Sequence, residues 1–222
     1  MLLLFSFPNN QLLVGSDFRV LLQGLLPTTF PNVGKKVRSL AASVLFYIPV
    51  VREISLFTGC ISATRSVATK ALERGQSLLV LPGGEAEQLL TKHGVELIYL
   101  KHRKGFVKLA MKNNTFLVPV YVFGCNDLFV TKDTFYKQRH WIMKKFGICL
   151  PLAKGVLGSW CPLQVDQTVV FGDPIRFKNY TDVGPTEEEV NVAHEQFTVA
   201  IKKLFDENKK QCGYADRELI IV

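Results

Sequence analysis

Short apolar runs alternate with helix-patterned segments along the chain, and this restricts the architecture more than any other feature. Ser77 to Leu81 is a run of strand character that halts at Pro82-Gly83-Gly84, and Glu85 to Lys92 has the pattern of a short helix. Val95 to Leu100 reads as a second strand, and Lys104 to Met111 as a helix with Phe106, Leu109 and Ala110 on one side. Phe116 to Phe123 is strand-like but interrupted by Pro119, and Thr168 to Phe171 ends at Gly172-Asp173-Pro174. Strands and helices in turn imply an α/β fold with a largely parallel sheet flanked by helices. No repeat, low-complexity tract or long linker divides the 222 residues, so a single domain over 1–222 is expected.

The clearest local signal is near the C-terminus. Thr186 and Glu189 have capping-box spacing, and Glu187 and Glu188 fall where a helix start carries positive charge. Val190, Ala193, Phe197, Ile201 and Leu204 recur at helical intervals, which predicts a packing helix stopped near Gly213. "ELIIV", residues 218–222, reads as a short strand or docked tail.

Charge narrows the partner. The net charge is +8, and between Lys92 and Lys154 stand 12 Lys/Arg against three acids, so almost all the excess is central. A basic middle calls for an anion: a membrane surface, a phosphorylated small molecule or nucleic acid. No apolar run reaches the roughly 18 residues of a membrane span, and Leu40 to Val51 is the longest. With 48% hydrophobic residues and mean hydropathy of +0.17, the chain could still lie on a membrane. "MLLLFSF" has neither a basic leader nor a small-residue cleavage site, so it is a poor signal peptide. Five scattered cysteines without a Cys-x-x-Cys pair predict no disulfide framework and no metal site, and fit a reducing setting. Two sequons, at Asn113 and Asn179, point the other way, but such triplets are common by chance.

The Gly-Gly-Glu-x-Glu turn sits where a parallel strand gives way to a helix, the usual place for a site. Glu85 and Glu87 there would repel phosphate, and no P-loop Lys-Ser/Thr follows. Two readings stay open: acids complementing a helix dipole, or a carboxylate that orients a catalytic imidazole or hydroxyl.

Larger blocks carry a resemblance. "PVVREISLFTGCISATRS" (49–66), "LVLPGGEAEQLL" (79–90), "LKHRKGFVKLAMKNNTFLVPVYVFGCNDLF" (100–129), "VVFGDPI" and "LFDENKKQCGY" resemble the type-2 diacylglycerol acyltransferase family, from about residue 48 to 214. The resemblance implies a glycerolipid-acyltransferase-like fold that moves a fatty acyl group from acyl-CoA to diacylglycerol or a related lipid alcohol, in triacylglycerol synthesis. It also implies residence at the endoplasmic reticulum membrane, cytosolic face, and lipid droplets, with acyl-CoA as co-substrate and no cofactor. Residue by residue, Glu87 matches the family's motif acid and is the expected catalytic residue, with Gly83 and Gly84 as the motif glycines. Arg103, Lys104, Gly105 and Lys108 match a basic block expected to bind acyl-CoA. The charges suit that role, since Arg grips phosphate bidentately and Lys acts as a point charge. Gly105 within a helical pattern suggests close approach of a neighbour or ligand. Asn126 matches the Asn of Phe-Gly-Glu-Asn, while Cys125 stands where an acid is usual.

One part of the family pattern is missing. Neither a His-Pro-His-Gly motif, which would fall just before Asp17, nor a His-x4-Asp pair occurs around His93, His102, His140 or His194. An N-terminally incomplete chain is therefore expected; a pseudoenzyme that binds acyl-CoA or a lipid surface, or His102 standing in as base, are alternatives. Nucleic-acid binding is not expected, since no aromatic ladder accompanies the charge.

Overall fold

The computed structural model describes the backbone of residues 2–6 and residues 36–132, 134–147, 149, 152–159, 161–180 and 184–222. The stretch before Asp17, where the His-Pro-His-Gly motif is expected, and Thr181 of the second sequon lie outside the described residues.

Six strands form the main sheet in the order β3-β2-β4-β1-β6-β9. They are β1 (Leu2–Ser6), β2 (Val37–Ala41), β3 (Cys60–Ser62), β4 (Ser77–Val80), β6 (Leu117–Phe123) and β9 (Thr168–Phe171). The first five pair in parallel, and β9 runs antiparallel to β6 at the edge. The apolar start is therefore a strand hydrogen-bonded between β4 and β6, with Leu3 opposite both Leu79 and Val118. Two small ribbons stand apart: β5 (Leu97–Ile98) with β10 (Ile220–Ile221), parallel, and β7 (Val130–Thr131) with β8 (Ala153–Lys154), antiparallel. The expected strand over 95–100 thus shrinks to two residues and leaves the main sheet, because its partner is the chain's own tail.

Six α-helices accompany these strands among the described residues: α1 (Val51–Phe57), α2 (Arg65–Glu73), α3 (Gly84–Leu90), α4 (Gly105–Lys112), α5 (Tyr136–Phe146) and α6 (Glu187–Asn208). Alternation along β6 makes two cores. Leu117, Tyr121 and Phe123 face one side with Val107, Ala110, Phe197, Ile201 and Phe205 of α4 and α6. Val118, Val120 and Val122 face the other with Val37, Leu79, Cys125 and Leu128. All seven β6 residues are buried. Pro119 does not interrupt the strand as expected: its carbonyl accepts the Gly172 N–H (2.8 Å), and only its own missing donor is lost. Cys125, in an acid's place by resemblance, lies in the second apolar core.

α6 forms as its spacing predicts. Thr186 Oγ1 accepts the Glu189 N–H (3.2 Å), and the Glu189 carboxylate accepts the Thr186 N–H (2.9 Å). The helix ends at Asn208, and Gly213 closes the following turn at φ +85°.

Candidate functional site

The strand ends around β2 and β4 open into a cavity of about 720 Å³. Leu40 to Ala42 leave β2 there, Ala63 follows β3, and Val80 to Pro82 leave β4. This is where parallel sheets place ligands, because backbone groups at strand ends and helix starts are not used up by the ladder. Leu45, Val51, Ala68 and Leu109 give the cavity apolar walls, while Arg65, Glu85, His102, Arg103 and Lys104 give it charge and polarity.

Two adjoining turns line it. In the first, the motif glycines act for different reasons. Gly84 has φ +54° with open space around a would-be Cβ, so its backbone conformation is what demands glycine. Gly83 has ordinary helical angles (φ −67°, ψ −34°), but a Cβ there would fall 2.2 Å from Glu87 Oε2 and 2.5 Å from Glu87 Cβ. Glu87 folds over Gly83, only 1% exposed, and its Oε2 accepts the Tyr99 N–H at 2.7 Å. It is not among the cavity-lining residues, whereas Gly84, Glu85 and Gln88 are.

In the second turn, Arg103 Nη2 points to the Gly83 carbonyl at 3.4 Å, and the guanidinium lies 5.1 Å from the Tyr99 ring centre. Its Nε is buried without a partner among the described residues. A continuous line of contacts thus runs from the Glu87 carboxylate through Tyr99 to Arg103. Lys104 also lines the cavity, and its Nζ donates to Asn191 Oδ1 (2.7 Å). Gly105 opens α4, whose first turn has no side-chain cap and borders the cavity at Gly105 and Phe106. Uncapped N–H groups beside two cations suit a phosphate or an oxyanion. Among the described residues, no atom outside its own stretch of helix lies within 4 Å of a Cβ built at Gly105, so no described neighbour requires this glycine, which itself lines the cavity. Lys108, half-buried, is not on the cavity wall.

Asn126 sits elsewhere. Its Nδ2 donates to the Val95 carbonyl (2.7 Å) and to Glu96 Oε2 (2.8 Å), and Tyr121 Oη donates to that same oxygen at 2.6 Å. Arg217 completes the network, with Nη1 at 2.8 Å from both Glu96 Oε1 and Asp127 Oδ2. Burial and Glu96 push the Tyr121 hydroxyl well above its ordinary range, so it remains a donor. Asn126 therefore helps staple the tail to the segment 95–101, whose end carries the basic turn. Val222 O accepts both the Leu100 and Lys101 N–H groups at 2.9 Å.

Sequence reasoning missed Arg65 and left Glu85 between a helix-start role and a place in the site. Arg65 opens α2 with no acid in the first turn, the reverse of what a helix dipole favours, and that anomaly was a readable signal. Cys149 also lines the cavity, but burial pushes its thiol up to about 11, with Arg139 opposing and Glu85 reinforcing, so it is no nucleophile near neutrality. The described residues contain no cluster of His, Cys, Asp or Glu able to hold a metal ion, and no helix long and apolar enough to cross a membrane. None of the five cysteines is paired.

The family model described as diacylglycerol acyltransferase matches residues 16–222, further in both directions than the blocks of resemblance reach. The chain is 36% identical over 188 residues to diacylglycerol O-acyltransferase 1 of Eremothecium gossypii, covering 80% of this chain and 41% of that protein. It is 35% identical to human 2-acylglycerol O-acyltransferase 3 over 198 residues (83% and 57%), and 30% identical to human diacylglycerol O-acyltransferase 2 over 209 residues (87% and 52%). The chain spans about half the length of the curated relatives it matches. No solved structure matches it significantly. With a family model matching nearly its whole length, this chain belongs to the diacylglycerol acyltransferase family.

Proposed function

We propose that the cavity receives acyl-CoA and that the protein transfers the acyl group to the hydroxyl of diacylglycerol or a related lipid alcohol, making triacylglycerol or its analogue. The observation that carries this reading is one cavity with a cationic turn (Arg103, Lys104) and an uncapped helix start on one wall, and aliphatic side chains on the others. Cations suit the CoA phosphates; the aliphatic wall suits an acyl chain. In the reaction the acceptor oxygen bonds to the thioester carbonyl carbon, the carbon–sulfur bond breaks, and the hydroxyl proton ends on the CoA sulfur. The hydroxyl proton needs a base, and among the described residues His102 is the histidine on the cavity wall. Glu87, buried behind the wall, acts as a positioning residue: it holds Tyr99, against which Arg103 stacks.

In the same reading the chain is one acyltransferase-like domain at the cytosolic face of the endoplasmic reticulum membrane and on lipid droplets, where both substrates meet. A second reading, acyl-CoA binding without turnover, is favoured by the burial of Glu87 off the cavity wall.

The test is oleoyl-CoA binding by calorimetry, followed by triacylglycerol formation from labelled oleoyl-CoA and diacylglycerol. Arg103→Glu should weaken binding about tenfold or more, since a phosphate-pairing cation becomes a repelling anion. Binding unchanged in that variant refutes the CoA assignment; binding without labelled product selects the second reading.

A further inference from the structure

Apart from Gly147 and Cys149, the described residues from β7 to β8 take no part in the cavity wall. Between Val130 and Gly158 the sequence holds six Lys/Arg and one acid, Asp133. Lys132, Lys137, Lys144, Lys145 and Lys154 are all exposed. Interleaved with them, large apolar side chains stand in solvent: Phe135 is 65% exposed, Trp141 57%, Phe146 52% and Leu157 fully so. Lys137, Trp141, Lys144 and Lys145 share one exposed face of α5 by helical spacing. Lys145 Nζ lies 4.8 Å from the Trp141 ring centre and 5.5 Å from that of Phe146, a cation held directly beside apolar rings.

A second, independent observation concerns the backbone. Phe135 and Leu157 sit at φ +57° and +53°, the left-handed region that costs a bulky residue energy, yet among the described residues their side chains stay largely exposed. Strain that aims an apolar side chain outward is compensated when something apolar covers it.

The same features recur next to other residues of the cavity wall. Tyr47, Val50 and Phe57 are 84%, 69% and 77% exposed, with Val50 at φ +69°. Their neighbours Leu45 and Val51 line the cavity, as do Gly147 and Cys149 just past α5.

We propose that the described residues between 130 and 158, with α5 at their centre, form the surface by which the protein lies on an anionic lipid bilayer, the cavity mouth bordering that surface. Aromatic and aliphatic tips enter the headgroup–acyl boundary while the lysines meet lipid phosphates and carboxylates. A lipid alcohol dissolved in the bilayer then reaches the cavity between α1 and the end of α5 without crossing water. Nucleic acid fits less well, because fully exposed Leu157 and half-exposed Leu152 and Val130 offer nothing to phosphate or base. This inference rests on the membrane part of the function proposed above and not on turnover.

The experiment is co-sedimentation of the whole chain with phosphatidylcholine vesicles, with and without phosphatidylserine. Binding should favour the anionic vesicles and weaken with salt. Lys144→Gln with Lys145→Gln should weaken partitioning roughly 25-fold, about fivefold per lysine. Leu157→Gly should weaken partitioning while leaving thermal stability equal or higher, since glycine tolerates that φ. A wild-type chain that sediments with neither vesicle removes the membrane reading itself. Equal binding to both vesicles, or variants that partition like the parent, removes this surface but not that reading. Release from a single-stranded oligonucleotide by the lysine variant, with no vesicle binding in the parent, would overturn the proposal in favour of nucleic acid.

Discussion

Replacing Gly83 by alanine tests the arrangement at the turn most directly. The backbone there is ordinary helix, so alanine meets no conformational penalty and should gain about 0.4–1 kcal/mol from a stiffer unfolded chain. The new Cβ would lie 2.2 Å from Glu87 Oε2 and 2.4 Å from its Cδ, inside any real contact distance. Glu87 is 1% exposed and has no solvent side to move into, so its carboxylate must leave the Tyr99 N–H. Losing a charged hydrogen bond costs about 1.5–3 kcal/mol, and overpacking a further 1–3 kcal/mol. The net expectation is a loss of about 2–5 kcal/mol, or about 5–15 °C in Tm for a domain of this size. Urea titration and thermal unfolding followed by circular dichroism would read it. Gly84→Ala is the control: at φ +54° in open space it should lose only the left-handed penalty of about 1–2 kcal/mol. Should Gly83→Ala come within about 0.5 kcal/mol of the parent, or lose less than the control, the packing argument for the motif is wrong.

Arg217→Met should cost about 2–4 kcal/mol in urea unfolding, below the usual 3–5 for breaking a buried pair because the Arg217 side chain is 27% exposed. Combining it with Glu96→Gln should cost less than the sum of the two, and simple additivity would exclude a coupled network. His194 gives a pH test. Burial first, and Lys104 nearby, hold its imidazole below the ordinary value, outweighing its bond to the Leu100 carbonyl (3.0 Å). The unfolded chain then takes up the proton more readily than the folded one, so this contribution is intact above pH about 6.5 and is lost as pH falls below it. Tm measured from neutral to mildly acidic pH should fall less steeply in His194→Asn; equal slopes would show that the imidazole does not titrate this way.

Much of the fold was readable because the deciding forces are local. The Thr186–Glu189 box, the α6 stripe and the β4-to-α3 turn each depend on residues a few positions apart. Where the reading failed, the partner was distant. Val95 to Leu100 has strand composition, but only Leu97–Ile98 pair, and with residues more than a hundred positions later. The helix α5 has weak apolar periodicity because much of one face stays exposed among the described residues. The basic block was legible as charge, yet only packing separates Arg103 and Lys104, on the cavity wall, from Lys108, off it.

The sequence by itself determined the family, the alternation that makes an α/β sheet, the capped C-terminal helix, and the concentration of positive charge in the middle of the chain. These follow from composition, period and neighbouring side chains. Only the tertiary structure decided that Glu87 is buried and accepts the Tyr99 N–H, that Asn126 fastens the tail, and that Arg65 and Glu85 reach the wall. Which way a side chain faces depends on contacts between segments far apart in the chain, and no local pattern encodes the balance of burial and hydrogen bonding that settles them.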